Sequence, residues 1–318
     1  MKPTLGQILK QTRQKPPDLR ATNGNLRLHL VVGDQGFSQQ ILSVGQERPL
    51  LEAGWADVAL NLSGRELLLP YDSARVLETG RSHARMRAVI TRPEFEITST
   101  FELWPDGSID IATAFAARTN LPLTSIEHRY VFAPAGDNPP WDYLWQPGVK
   151  ASRSGLVGWR AYRSPCLVIQ KGGDAAALIP ALQLIERDMP IPPALDFRRP
   201  GELRCGLVGQ RVTGHAFANR DLRRAVELVP GQSMRFGLRI VAGSGLAERT
   251  GMQLAARALW AQYGQKLADE IQPQTLAFDD FARYAYDGIF ERRKLWCARA
   301  TESRRRHSQL RRRPTPAK

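Results

Sequence analysis

The densest group of chemically useful side chains lies between Pro139 and Pro165, in PPWDYLWQPGVKASRSGLVGWRAYRSP. Trp141, Tyr143, Trp145, Trp159 and Tyr162 offer flat aromatic faces, and Lys150, Arg153, Arg160 and Arg163 stand against a single acid, Asp142. Sugar rings lay their C–H faces on Trp and Tyr, and a guanidinium clamps a carboxylate or phosphate through two parallel hydrogen bonds. Aromatics interleaved with Arg153, Arg160 and Arg163 therefore suit an oligo- or polysaccharide, an acidic one included. The same tryptophans also suit the space between packed layers, because large aromatics bury for packing reasons first. Both readings stay open on the residues alone.

Hydrolysis of a glycosidic bond needs two carboxyl groups flanking it. Asp279 and Asp280 are adjacent, so their side chains diverge, and helix capping accounts for them. Glu186 and Asp188 sit in the proline-rich stretch IERDMPIPPALDFRRP and read as solvated. Two histidines are candidates for general acid chemistry, which requires a nearby carboxylate as base. His128, in EHRYVF, shares a strand face with Tyr130 and Phe132, and His215 lies in TGHAFANRD beside Asn219 and Asp221. For His128 the competing reading is an interior imidazole with a hydrogen-bond partner. The glycine-rich stretches GDNPPWD, QKGGDAA and VAGSGLAERTG do not match a phosphate-cradling loop. Cys166, Cys205 and Cys297 are widely spaced and read as buried thiols, not as a zinc set or a disulfide framework. No metal and no cofactor is expected.

The net charge of +14 over 318 residues is unevenly placed. From Arg292 to Lys318 eleven Lys/Arg face one acid, Glu302, so the body of the chain is close to neutral. That tail offers charge without a reading element, and a nucleic-acid role is not expected. No apolar run approaches the length that spans a bilayer, and the start lacks the apolar core of a secretory signal. The expectation is a cytoplasmic product, or a periplasmic or secreted one if the start codon is misassigned.

The elements that must position these residues follow a period of two. Leu26, Leu28, Leu30 and Val32 share a face, as do Val58, Leu60 and Leu62, and Met86, Ala88 and Ile90. In EFEITSTFELWPDGSIDIATAF, Phe95, Ile97, Phe101 and Leu103 oppose Glu94, Glu96, Thr98, Thr100 and Glu102, and WPDG supplies a turn. The spacing predicts about ten strands in an antiparallel β-sandwich over residues 25–243, after an irregular arm over 1–24. Beyond Gly243 the period changes. Met252, Ala255, Ala256, Leu259, Trp260, Tyr263, Leu267 and Ile271 form one helical stripe. Phe278, Phe281, Ala282, Ala285, Ile289 and Phe290 form a second after the break at Pro273, predicting an αα-hairpin over 244–298. Residues 299–318 are poor in apolar side chains and read as a disordered basic tail.

This order of parts resembles carbohydrate-active enzymes in which an N-terminal β-supersandwich, similar to the galactose-mutarotase fold, precedes a six-hairpin-glycosidase-like (α/α) toroid. GSIDIATAFAARTNLPLTSIEHRYVFAP resembles a strand–turn–strand step of such sandwiches, VELVPGQSMRFGLRIVAG their closing strand pair, and LAARALWAQYGQKL with FDDFARYAYDGIFERRKLW the first toroid hairpin. The resemblance covers roughly residues 25–297 and implies a glycoside hydrolase or polysaccharide lyase-like enzyme, its sandwich loops shaping a glycan cleft. It also implies that the catalytic acids lie in further helical hairpins, absent from this chain, so that the chain alone is inactive and its hairpin is covered by that missing domain or by a second copy. The alternatives are a noncatalytic glycan-binding or assembly module, and a mutarotase-like epimerase using His128 or His215.

Overall fold

The computed structural model describes residues 18–20, 26–43, 47–80, 83–133, 141–145, 155–158, 166–184, 189–198, 201–212 and 221–264. The chain divides into two compact units, Met1–Gln262 and Tyr263–Lys318, and of the second only Tyr263 and Gly264 are described. Alternation dominates the first unit. Its strands in chain order are β1 (Asp18–Arg20), β2 (Leu26–Gly33), β3 (Gly36–Ser43), β4 (Pro49–Glu52), β5 (Val58–Leu62), β6 (Arg65–Leu69) and β7 (Ser73–Thr79). Then come β8 (Ala84–Thr91), β9 (Phe95–Leu103), β10 (Ile109–Ala117), β11 (Leu121–Phe132), β12 (Tyr143–Trp145), β13 (Gly155–Gly158) and β14 (Leu167–Lys171). The last are β15 (Asp174–Pro180), β16 (Pro193–Arg198), β17 (Glu202–Val208), β18 (Gln210–Val212), β19 (Asp221–Arg223), β20 (Val226–Leu228) and β21 (Ser233–Gly243).

Two large antiparallel sheets result. Sheet A runs β1-β2-β3-β4-β11-β17-β16-β13, with β5 and β20 also pairing on β11, and β6 on β5. Sheet B runs β12-β14-β15-β21-β10-β9-β8-β7, and β18 pairs with β19 as a separate ribbon. The antiparallel sandwich expected from the sequence is the fold. Its twenty-one described strands exceed the ten expected because many, such as β1, β12 and β19, span three residues and carry no periodic signal.

The β9–β10 hairpin shows why these residues make strands. Burial alternates along β9, and the register sets Ile111 opposite Phe101 and Phe115 opposite Ile97. Gly107 supplies the left-handed turn residue at φ +81°. Phe101, Phe115, Tyr71, Tyr130, Phe132 and Phe197 fill the space between the sheets, none more than 1% exposed. One polar chain crosses this interior: Ser99 Oγ lies 2.8 Å from Thr113 Oγ1, which lies 2.7 Å from His128 Nε2.

A helix, α1 (Gly251–Leu259), continues as one wider π turn over Trp260–Gly264. Within the first unit α1 lies on the outer side of sheet B, where Ala255, Met252, Leu254, Ala258 and Leu259 meet Cys166, Val168, Ala177, Ile179 and Val241. Gln170 pins its start: the buried amide donates to the carbonyls of Gly172 and Ala247 and accepts from the Gly251 N–H at 2.8 Å. The stripe read from the sequence needs correction here. Ala256 is exposed and Trp260 is 69% exposed. One cause is visible: the pin sets the rotation of α1 above the small side chains of β15, which turns Ala256 and Trp260 outward. The second helical stripe and the basic tail lie outside the described residues. Among the described residues no helix is long and apolar enough to cross a membrane.

Candidate functional site

Four strands of sheet A and its ribbon carry an acid, one intervening residue and an arginine: Glu127 and Arg129, Asp196 and Arg198, Glu202 and Arg204, Asp221 and Arg223. A spacing of two puts both members of a pair on one face of a strand. In β11, β17 and β16 the register then stacks them side by side. Arg129 pairs with Arg204 and Arg204 with Asp196; one step along, Glu127 pairs with Gly206 and Gly206 with Ala194. The result is a charged field on the face of sheet A turned away from sheet B.

Arg204 is its hub. Its Nη1 donates to Glu66 Oε1 at 2.7 Å and lies 3.8 Å from Glu127 Oε2, and its Nε donates to Glu202 Oε1. Arg198 joins Asp196 at 3.1 Å and Glu66 at 3.0 Å. Arg223, on β19, donates to Glu127 Oε2 at 3.1 Å, to Ser125 Oγ at 3.2 Å and to Asp196 Oδ2 at 2.5 Å. One guanidinium fork thus bridges two carboxyl groups. Glu66 belongs to β6, three strand steps from β17 through β5 and β11. On a flat sheet that is about 14 Å, too far for side chains standing off its surface, so the sheet curls toward this face.

Gly206 makes the crowding feasible. A Cβ there would fall 2.1 Å from the Ile126 carbonyl oxygen and 2.6 Å from the Glu127 Cα, so β17 approaches β11 at Glu127 without a side chain between. Glu127 is 0% exposed. Burial pushes its carboxyl above the ordinary range, against the pull of Arg223 and Arg204. Its Oε1 has no hydrogen-bond partner among the described residues. Glu66, by contrast, is held down to about 2 by its hydrogen bond to Arg204. The face therefore holds one carboxyl that retains its proton readily and one that gives it up readily, the division that acid–base chemistry uses. Neighbouring hydroxyls of a polyol, or a carboxylate, are the groups that planar carboxyl and guanidinium forks engage in pairs.

Of the residues singled out from the sequence, those that are described fall elsewhere. His128 is fully buried between the sheets on the opposite face of β11 from Glu127, and burial depresses its pKa to about 3. Trp141 is partly buried and meets Phe197 edge-on at 5.1 Å. Trp145 is partly buried beside the α1 cluster, and Tyr143 stands on β12 at intermediate exposure. Asp142 Oδ2 accepts the Gly172 N–H at 2.6 Å. The two tryptophans pack on two different sides of sheet B. Arg153, Trp159, Arg160, Arg163 and His215 lie outside the described residues, as do Glu186, Asp188, Asp279 and Asp280. Among the described residues no group of His, Cys, Asp and Glu could hold a metal.

The charged face is not legible in the sequence, because acids and arginines alternating with apolar residues read as a wet strand surface. The recurring acid-x-arginine triplet was the available signal.

No protein-family model and no curated protein matches the chain. Solved structures do. An alpha-N-acetylgalactosaminidase from Bifidobacterium bifidum matches at 11% identity and a TM-score of 0.48, over 78% of this chain and 39% of that one. A glycoside hydrolase family 97 enzyme from Pseudoalteromonas sp. strain K8, in complex with acarbose, matches at 10% identity and a TM-score of 0.46, over 71% of this chain and 35% of that one. A galactose 1-epimerase from Lactobacillus acidophilus NCFM matches at 11% identity and a TM-score of 0.37, over 73% of this chain and 99% of that one.

Proposed function

We propose that this chain is a carbohydrate-active sandwich whose charged face on sheet A binds a saccharide. One observation carries the reading: Glu127 and Asp196 are held by a single guanidinium of Arg223 on a curled sheet face, with Glu127 Oε1 left without a partner. Adjacent hydroxyls of a pyranose, or the carboxylate of a uronic acid, match such forks in spacing and polarity. The sandwich serves as the glycan-contacting part of a glycoside hydrolase or polysaccharide lyase-like enzyme, with the catalytic acids supplied by a helical domain. A 1-epimerase complete within the sandwich is the second reading, favoured by the raised proton affinity of Glu127, which suits a group that exchanges a proton with an anomeric hydroxyl.

The test is calorimetric titration of the chain with neutral and uronic oligosaccharides, beside polarimetry of freshly dissolved α-galactose and α-glucose. Binding that weakens at least ten-fold in Glu127→Gln supports the saccharide reading. Accelerated mutarotation lost in the same variant selects the epimerase. Absence of binding and of catalysis across the panel overturns both.

A further inference from the structure

The loop Ala53–Asp57, between β4 and β5, is fastened from several sides, yet it holds out a large apolar side chain. Arg129 Nη1 donates to the carbonyls of Ala53 at 2.9 Å and Ala56 at 3.3 Å, on either side of Trp55. Ser38 Oγ donates to the Gly54 carbonyl. The Asp57 N–H reaches the Leu69 carbonyl at 3.2 Å, and its Oδ1 accepts the Gln39 N–H at 3.0 Å. Gly54 turns the chain at φ +65°, and a Cβ there would stand 3.8 Å from Arg129 Nη1, so the loop lies directly over that guanidinium. Ala53, Ala56 and Asp57 are each 0% exposed, whereas Trp55 is 54% exposed.

Keeping an indole in water forgoes the burial that ordinarily stabilises it by roughly 2 kcal/mol or more, and fixing the backbone around it forgoes the freedom by which a loop could fold it away. Rigid presentation of a flat aromatic is what a stacking ligand needs, because the ordering cost is met before binding. The loop also borders the charged face. The Arg129 guanidinium that holds the loop through Nη1 donates through Nη2 to Glu202 Oε2 at 2.8 Å, and Glu202 in turn accepts from Arg204. Trp55 is the only large apolar side chain exposed in its loop. A single indole beside planar polar groups fits an amphipathic ring, its C–H face on the indole and its hydroxyls toward the charges.

We infer that Trp55 is a preformed stacking platform for a pyranose ring of the saccharide held by the charged face, with Arg129 as its positioning residue; this rests on the reading given above. The test uses the full chain and the oligosaccharide that binds most tightly in the calorimetric panel, comparing wild type with Trp55→Ala and Trp55→Phe. Urea midpoints report folding, and they are expected to match because the indole is largely solvated. The inference expects Trp55→Ala to bind at least ten-fold more weakly and Trp55→Phe, which keeps a flat ring, to stay within about three-fold of wild type. Equal binding by Trp55→Ala and wild type overturns the platform and leaves the saccharide site standing. A wild-type chain that binds none of the panel overturns both together.

Discussion

Glu127 and His128 are consecutive, fully buried and on opposite faces of β11: the carboxyl meets Arg223 and Arg204, the imidazole meets Thr113. Burial drives both toward the neutral form, raising the carboxyl's proton affinity and lowering the imidazole's. The strand thus separates a polar link that ties the two sheets together from a buried carboxyl held by the arginines of the opposite face.

The bridge from Arg223 to Glu127 and Asp196 is expected to be cooperative. Arg223→Met leaves two carboxyl groups without their shared fork and is expected to cost about 3 kcal/mol. Glu127→Gln keeps an acceptor for Arg223 and is expected to cost about 1 kcal/mol. Urea unfolding of both variants and the double variant gives the coupling. An additive double variant would show that the fork carries no joint stabilisation.

Asp57 gives the alkaline side of the stability profile. Burial raises its pKa from 3.8 to about 8, against the hydrogen bond from Gln39. The folded chain keeps this proton while the unfolded chain releases it from about pH 4 upward, so stability falls as pH rises between those values. At about 1.4 kcal/mol per unit, the ceiling of this loss is about 6 kcal/mol. Asp57→Asn, nearly the same shape and never charged, is expected to flatten that limb and to be the more stable form at pH 8 in thermal melts.

Glu66 acts in the opposite sense. Its pKa is lowered from 4.5 to about 2 by Arg204, so its contribution is present above pH 4.5 and is lost as pH falls toward 2. Because the carboxylate is 34% exposed, solvent weakens the effect. Glu66→Gln is expected to lower the urea midpoint modestly above pH 6 and to flatten its fall between pH 5 and pH 3, so that variant and wild type converge toward low pH.

Gly206→Ala places a methyl group against the Ile126 carbonyl and the Glu127 Cα, both backbone atoms that cannot rotate away. Overpacking of this kind is expected to cost about 3 kcal/mol or more. Differential scanning calorimetry checks it, and a melting temperature within a degree or two of wild type would show that β11 and β17 can part freely.

What the sequence discloses depends on how local the cause is. The β9–β10 hairpin is legible because Phe95, Ile97, Phe101 and Leu103 alternate with polar residues and WPDG closes the turn within the same stretch. The charged face is not, because the partners of Arg204 come from Glu66, Glu127 and Glu202, and the register between distant strands brings them together. Trp145 and Trp141 share a segment and an expectation, yet they pack on different sides of sheet B. Trp55 carries no signal of its own, because nothing in AGWAD tells that Arg129 and Ser38 hold the loop.

The position of β21 has a consequence for biosynthesis. This strand, ending at Gly243, lies at the centre of sheet B, pairing on one side with β10 and on the other with β15. While the chain emerges from a ribosome, β10 and β15 present open edges until their common neighbour arrives last. Such non-local pairing is slow, and unpaired edges invite intermolecular association. Closure of the sandwich is therefore expected to wait until β21 has emerged, and the nascent chain to be a substrate for chaperones that shield strand edges.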